Sequence, residues 1–274
     1  MFKSISFANL KASSKFGYAA QLPYFKERES LNFTPGLNVL FGPNGCGKST
    51  ILKMLGGAMC ATQGGVSTIT ESALRENVDL WAGASSDSKP ASKAGLHVVH
   101  DGKPVVFSDP RMHQGLMGGS FDDDFFEKGV IETSHISKRS HGQAVLARVD
   151  SALATLLGKV PFPDTVDNRL DKRALNDTWK RGLTVLEEQM ASNCEAGLPT
   201  VLLDEPEANF SLVWQARIWK LLAQPDVSQK YQVIVASHSP FALGIAHANY
   251  IDFEAGFRQE CEAVLVGRFR PASA

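Results

Sequence analysis

Three short stretches carry residue types suited to one kind of chemistry. The first is GPNGCGKST, Gly42 to Thr50, which fits the pattern G-x-x-x-x-G-K-[ST]. Its glycines let consecutive backbone N–H groups turn inward around phosphate oxygens without Cβ clashes. Gly42, Pro43, Asn44, Gly45, Cys46, Gly47, Lys48, Ser49 and Thr50 are therefore the candidate cradle. Lys48 suits a bridge between β- and γ-phosphates, and the Ser49 hydroxyl suits Mg²⁺, a hard ion that takes oxygen ligands. The second stretch is TVLLDEPE, Thr200 to Glu207. Asp204 ends an apolar run and offers the metal a carboxylate, while Glu205 is placed to order and deprotonate a water. The third is YQVIVASHSP, where His238 follows another apolar run. A neutral imidazole there can hydrogen-bond a γ-phosphate and report its presence. Adjacent acids and a lone histidine are ordinary by themselves. Their place behind buried runs, in one chain with the cradle, singles them out.

Elements must position these groups. GLNVLFG ahead of the cradle reads as a short strand. STILKMLGGAM behind it reads as a helix with Ile51, Leu52 and Leu55 on one face, and its N-terminus adds partial positive charge. TVLLD and YQVIVAS read as buried strands with a helix at about 211–223 between them. Such runs suit a parallel sheet, at whose C-terminal edge ligands bind. FKSISFANLK (2–11) alternates like a half-buried strand, and LHVVHDGKPVVF predicts a hairpin around Asp101-Gly102. Residues 62–95 read as loops with one short helix. Residues 142–157 read as a helix with Gly158 as its C-cap. Leu175, Trp179, Leu183, Leu186 and Met190 make an amphipathic helix of 171–195, for internal packing or for docking a partner. A short helix and two closing strands end the chain. Phe16, Tyr18, Tyr24 and Phe25 are each candidate adenine platforms, with a core role as the first expectation for each. The Asp122-Asp123-Asp124 run reads as a solvated loop. The pattern is an α/β fold with a largely parallel sheet.

The totals exclude some classes. Among 274 residues, 28 basic side chains face 29 acidic ones, so no global charge draws the chain to nucleic acid or membrane. Cys46, Cys60, Cys194 and Cys261 are scattered without metal-ligand spacing, as thiols of a reducing cytosol are. No leader sequence and no run of eighteen apolar residues is visible, so the expectation is a cytoplasmic protein without a membrane span.

One stretch admits two readings. In SKRSHGQAVLAR, Ser140 followed three residues later by Gln143 is a capping box. It is also close to the Ser-Gly-Gly-Gln core by which one ABC-type ATPase subunit grips nucleotide held by another. Cradle, Ser-x-Gly-Gln, Asp-Glu and His occur in the order used by ABC-type ATPases. Through GPNGCGKST, RSHGQ, LLDEPEANFS and VASHSPFAL the chain resembles stand-alone ATPases of that class, related to DNA-repair and chromosome-organising ATPases. The likeness covers about 31–60 and 135–255.

The resemblance implies a single domain, 1–274, with a mixed sheet, an antiparallel N-terminal portion and a helical lobe inserted at about 110–198. It implies a homodimer enclosing two ATP and Mg²⁺, with Ser140, Gly142 and Gln143 of one copy over the γ-phosphate on the other copy's Lys48. Glu205 and His238 take catalytic roles. Ser49, Asp204 and, as the glutamine linking metal to the lobe, Gln114 take the metal. Asn209 and Ser211 fall on the loop crossing the dimer seam. The motion would drive an effector protein in DNA repair or phage defence, with DNA as a further candidate partner and no membrane. A transporter's nucleotide-binding subunit is the alternative. Two departures stand out. His141 replaces the first glycine of the core, and about sixty residues separate Ser140 from Asp204.

Overall fold

Phe2 and Ile5 both turn inward from strand β1 (Phe2–Ser6), because an irregularity between Phe2 and Ser4 shifts the register of its pairing. β1 is the middle of a three-stranded antiparallel sheet, between β2 (Ser30–Asn32) and the later strand His97–His100. The computed structural model describes residues 1–61, 66–77, 80, 94–108, 155–159, 161–170, 173, 177, 180, 183–184, 186–187, 194–208 and 210–267.

The second sheet holds the site. Its first strand is β3 (Leu37–Phe41), followed in the chain by a two-residue strand β4 (Thr68–Ile69), by β5 (His97–His100) of the antiparallel sheet, and by β6 (Val105–Ser108). After β7 (Asp167–Asn168), which pairs with β4, come β8 (Thr200–Asp204), β9 (Gln232–Ser237) and β10 (Asn249–Asp252). The order is β10-β3-β9-β8-β6, all parallel. Every residue of β3, β8 and β9 is buried, as strands covered on both faces require. Leu40, Leu202, Ile234 and Ala236 face one core, with Ile51, Leu52 and Leu55. Val39, Phe41, Val201, Leu203, Val233 and Val235 face the other, with Ile218, Trp219 and Leu222.

The helices labelled in chain order are α1 (Pro23–Glu27), α2 (Lys48–Ala58), α3 (Glu71–Glu76), α4 (Leu212–Leu222), α5 (Pro225–Lys230) and α6 (Phe257–Leu265). α2 is buried around more than the single face expected, since Met54, Gly56, Gly57 and Ala58 are covered along with Ile51, Leu52 and Leu55. It lies between the two sheets rather than on the surface.

One buried side chain ties the sheets together. The Gln232 Oε1 accepts from the Phe2 N–H at 2.8 Å and from the Thr200 hydroxyl at 3.0 Å. Its Nε2 donates to the carbonyls of Phe2 at 2.8 Å and Thr34 at 3.1 Å.

Two sequence expectations are corrected. The run around Asp101-Gly102 is not a hairpin, because β5 joins the antiparallel sheet and β6 joins β8 in the parallel one. Asp101 is drawn elsewhere. It pairs with the N-terminal amine and accepts from the backbone N–H groups of Lys103 and Gly197 at 3.1 and 2.9 Å. All four residues of β6 are buried, so that strand needs covered faces on both sides. Among the described residues, the chain after the short helix Pro240–Ala242 also holds one strand, β10, and the helix α6 where two strands are expected. Gly256, at φ +85°, turns the chain into α6.

Thr155 and Leu156 are helical and Gly158 has φ +69°, as its C-cap reading requires. Leu183 and Leu186 of the expected amphipathic helix are buried, which favours internal packing there. None of the four cysteines forms a disulfide, and burial pushes the Cys60 thiol up to about 12. No helix among the described residues is long and apolar enough to cross a membrane. Ser140, Gly142, Gln143, Gln114, Asn209 and the acidic run at 122–124 lie outside the described residues.

Candidate phosphate-binding site

Strand register brings the predicted groups to one edge. Phe41 pairs with Ser237, and Asp204 with Ala236. The residues just past these ends are Gly42, Glu205 and His238. The ladder runs one step further, since the Glu205 N–H donates to the Ala236 carbonyl at 2.9 Å. β6 ends at the same edge, with Ser108 opposite Leu203.

The cradle turns from β3 into α2. Gly47 sits at φ +109°, and a Cβ there would come within 2.7 Å of the Phe25 ring and 3.1 Å of Leu22. Both the backbone and the packing of α1 therefore require glycine at this position. At Gly42 a Cβ would meet Phe253 at 2.9 Å and the Cys46 sulfur at 3.0 Å. Lys48 is buried, and its Nζ donates to the carbonyls of Gly42 and Pro43, both at 2.7 Å, with the Cys46 Sγ at 3.8 Å. A cleft of about 370 Å³ opens here, lined by Asn44, Gly45, Gly47, Lys48, Ser49 and Thr50, with Tyr18, Leu22 and Glu205. Pro43 and Cys46 stand beside it in the loop.

The Ser49 hydroxyl donates to the Asp204 Oδ1 at 2.8 Å, so a hydroxyl and a fully buried carboxylate converge at the start of α2. This all-oxygen pair fits Mg²⁺, which takes few protein ligands and completes its shell with phosphate and water. Among the described residues, no group of three or more His, Cys, Asp or Glu is placed to hold a metal. Glu205 has φ +48°, the left-handed region that side chains other than glycine rarely enter. Such strain persists where surrounding contacts impose it, and it collects at functional positions. The Glu205 Oε1 lies 3.4 Å from the Nδ1 of His238, a half-exposed side chain. The sequence-predicted acid, histidine and cradle are thus brought together.

The four aromatics separate. Phe16, Tyr24 and Phe25 are buried, and Tyr24 stacks on Phe253 at 4.0 Å. Tyr18 is 55% exposed, lines the cleft, and its hydroxyl is 3.0 Å from the Thr50 Oγ1. The core role expected for Tyr18 is therefore corrected: a flat ring stands at the mouth of the cradle.

One further residue escapes the sequence reading. Glu207, in the same Asp-Glu-Pro-Glu run, is buried, and its Oε1 accepts from the Ser237 hydroxyl. An acid in such a run reads as solvated, and its neighbours in the sequence give no sign of burial. Burial pushes its carboxyl up to about 7, with the charges of Glu205 and Asp204 adding to the shift and the Ser237 hydrogen bond opposing it. The sign of the effect on stability follows. Below its ordinary value of 4.5 the group is protonated folded and unfolded alike, and nothing is lost. As pH rises towards 7 the unfolded chain releases the proton while the fold retains it, so stability falls. The stability advantage of Glu207→Gln over wild type is expected to grow by roughly 2–3 kcal/mol between pH 4 and pH 8. Denaturant unfolding across that range measures it, and parallel curves for the two proteins would contradict it.

Residues 22–78, which include α1, the whole cradle and α2, match a family model described as an AAA domain. No curated protein matches the chain significantly. Among solved structures, one assigned to the metal-chelate type of ABC transporter, in an inward-facing conformation, is 18% identical. The match covers 97% of this chain and 90% of that one, at a TM-score of 0.34. CbiO1 from Clostridium perfringens, part of the ABC transporter complex cbiONQ, is 16% identical over 77% of this chain and 70% of that one, at 0.26. The ADP conformation of MJ1267, an ATP-binding cassette of an ABC transporter, is 13% identical over 97% and 95%, at 0.34. These likenesses are slight. The family match falls on the segment that carries the glycine-rich turn and α2.

Proposed function

We propose that the chain binds ATP with Mg²⁺, hydrolyses it, and works as a dimeric clamp of the ABC type. The observation that carries this reading is the shared sheet edge, where Lys48, Ser49 and Glu205 line one cleft, Asp204 is bonded to Ser49 behind it, and His238 stands 3.4 Å from Glu205. In this reading Gly42 to Thr50 hold the triphosphate by backbone N–H groups and the α2 N-terminus. Tyr18 offers its face to adenine. Ser49 and Asp204 would hold Mg²⁺, whose chemistry there is to neutralise charge developing on the phosphates. Glu205 takes a proton from the attacking water. His238 donates a hydrogen bond to the terminal phosphate.

Ser140, Gly142 and Gln143 of a second copy close the site, with Gln114 linking metal and lobe, within a single domain of 1–274. Exposed Leu212, Val213 and Trp214 follow directly on the loop after β8 that this arrangement puts at the seam. Closure and opening would move an effector protein, or DNA, in repair or defence. With ATP, Mg²⁺ and a non-hydrolysable analogue in parallel, the purified protein is expected to run as a dimer by size exclusion with light scattering. It should return to monomer as ATP is consumed. A protein that stays monomeric with the analogue at saturating concentration overturns the clamp and leaves only the cradle. ATPase rates with and without DNA, over a range of salt, discriminate the two kinds of output.

A further inference from the structure

The loop after β8 and the turn after β9 are joined by a contact that the cradle chemistry leaves unused. Glu207 lies three residues past Asp204 and is 5% exposed. Its Oε1 accepts from the Ser237 hydroxyl, and the Ser237 oxygen accepts in turn from the Ser239 N–H at 2.9 Å. A serine hydroxyl has one proton and two lone pairs, so both bonds form together. His238 is the residue between Ser237 and Ser239. The turn that carries it is closed by one hydroxyl, and Glu207 orients that hydroxyl. On the far side the Ser239 Oγ accepts from the Phe241 N–H at 3.3 Å and caps the short helix Pro240–Ala242. On the near side Ser237 is in register with Phe41, one residue before the cradle. The second oxygen of Glu207 is buried and has no hydrogen-bond partner among the described residues. A half-satisfied buried carboxyl is a poor way to gain stability, because an apolar residue of the same shape would avoid the desolvation penalty. Its placement makes sense through what it orients.

We propose that Glu207 is a positioning residue for hydrolysis: by fixing the Ser237 hydroxyl it holds the His238 turn at its 3.4 Å approach to Glu205, so that base and imidazole face the terminal phosphate together. The inference rests on the reading of the cleft as an ATP-hydrolysing site. Loss of the contact loosens the geometry of the reacting groups without touching the cradle that binds the nucleotide. A displacement of about 1 Å at such groups lowers rates by up to about 10²-fold.

The test measures kcat and ATP affinity for the full chain and for Glu207→Ala, Ser237→Ala and Glu207→Gln. Either alanine variant is expected to lose about 10–100-fold in kcat with Kd within about threefold of wild type. Glu207→Gln keeps an oxygen that accepts from Ser237, and is expected to stay within about threefold of wild-type kcat. Combining the two alanines should lower kcat no further than either alone, because both break one linkage. Unchanged kcat in Ser237→Ala, equal losses of kcat and affinity, or a glutamine variant as slow as the alanine would each overturn the proposal. If Glu207→Ala does not fold, Ser237→Ala and Glu207→Gln decide the matter between them. A wild type that binds no ATP overturns the reading of the cleft and this inference with it. A wild type that turns over, with variants that match it, overturns this inference alone.

Discussion

Glu205→Gln is expected to bind ATP as tightly as the wild type and to hydrolyse it about 10²–10⁴ times more slowly. The substitution keeps the shape and the backbone contact to Ala236 but removes the carboxylate that the proposed mechanism uses as base. Its side chain stands at the cleft with its Oε1 3.4 Å from His238, and its backbone is held in a left-handed conformation. That conformation costs about 1–2 kcal/mol for a residue with a Cβ. Single-turnover phosphate release gives the rate, and titration calorimetry with the Mg²⁺–nucleotide gives the affinity. A variant within about fivefold of wild-type rate would mean that another group takes the proton. A clamp also requires that the slow variant accumulate in its closed form, so the dimer should persist with ATP itself and not only with an analogue.

Lys48→Ala is expected to weaken ATP binding by about 100-fold or more. Each hydrogen bond between an ammonium and a phosphate oxygen contributes roughly 1.5–3 kcal/mol, and Lys48 is placed to make more than one. The side chain is buried, with its Nζ held by the carbonyls of Gly42 and Pro43 at 2.7 Å. Those contacts hold the charge inside the turn that the phosphates would enter. Arginine should not restore binding, since a planar five-donor fork cannot occupy the compact position between the two carbonyls. Affinity measured by calorimetry for the alanine and arginine variants checks both statements. An alanine variant within about threefold of wild-type affinity would remove Lys48 from the site.

The central sheet could be read from the chain because its strands are covered on both faces. TVLLD and QVIVAS are continuous apolar runs, and such runs fit few other places. The cradle was legible for a different reason: its glycines answer local demands of backbone and packing, as Gly47 does against Phe25. From these two facts Asp204, Glu205 and His238 fall at one edge. The hairpin was misread because the Asp-Gly pair is a local signal, while the destination of β6 is set by burial far along the chain. Tyr18 could not be told from Phe16, Tyr24 and Phe25, since four aromatics within ten residues have no period that sorts them. Glu207 was hidden by its neighbours: an acid two residues past another acid gives no sign that a serine thirty positions on will cover it.

The Gln232 side chain has a consequence for how the molecule comes apart. It satisfies both the N–H and the carbonyl of Phe2, and it sits at the end of β9 remote from His238. Peeling the N-terminal sheet away would strand several enclosed amide groups at once, each worth about 1–3 kcal/mol. The N-terminal sheet and the parallel sheet are therefore expected to melt as one cooperative body. Slow amide exchange in β1 should rise and fall with that in β9, and the amino-terminal segment is not expected to fray by itself.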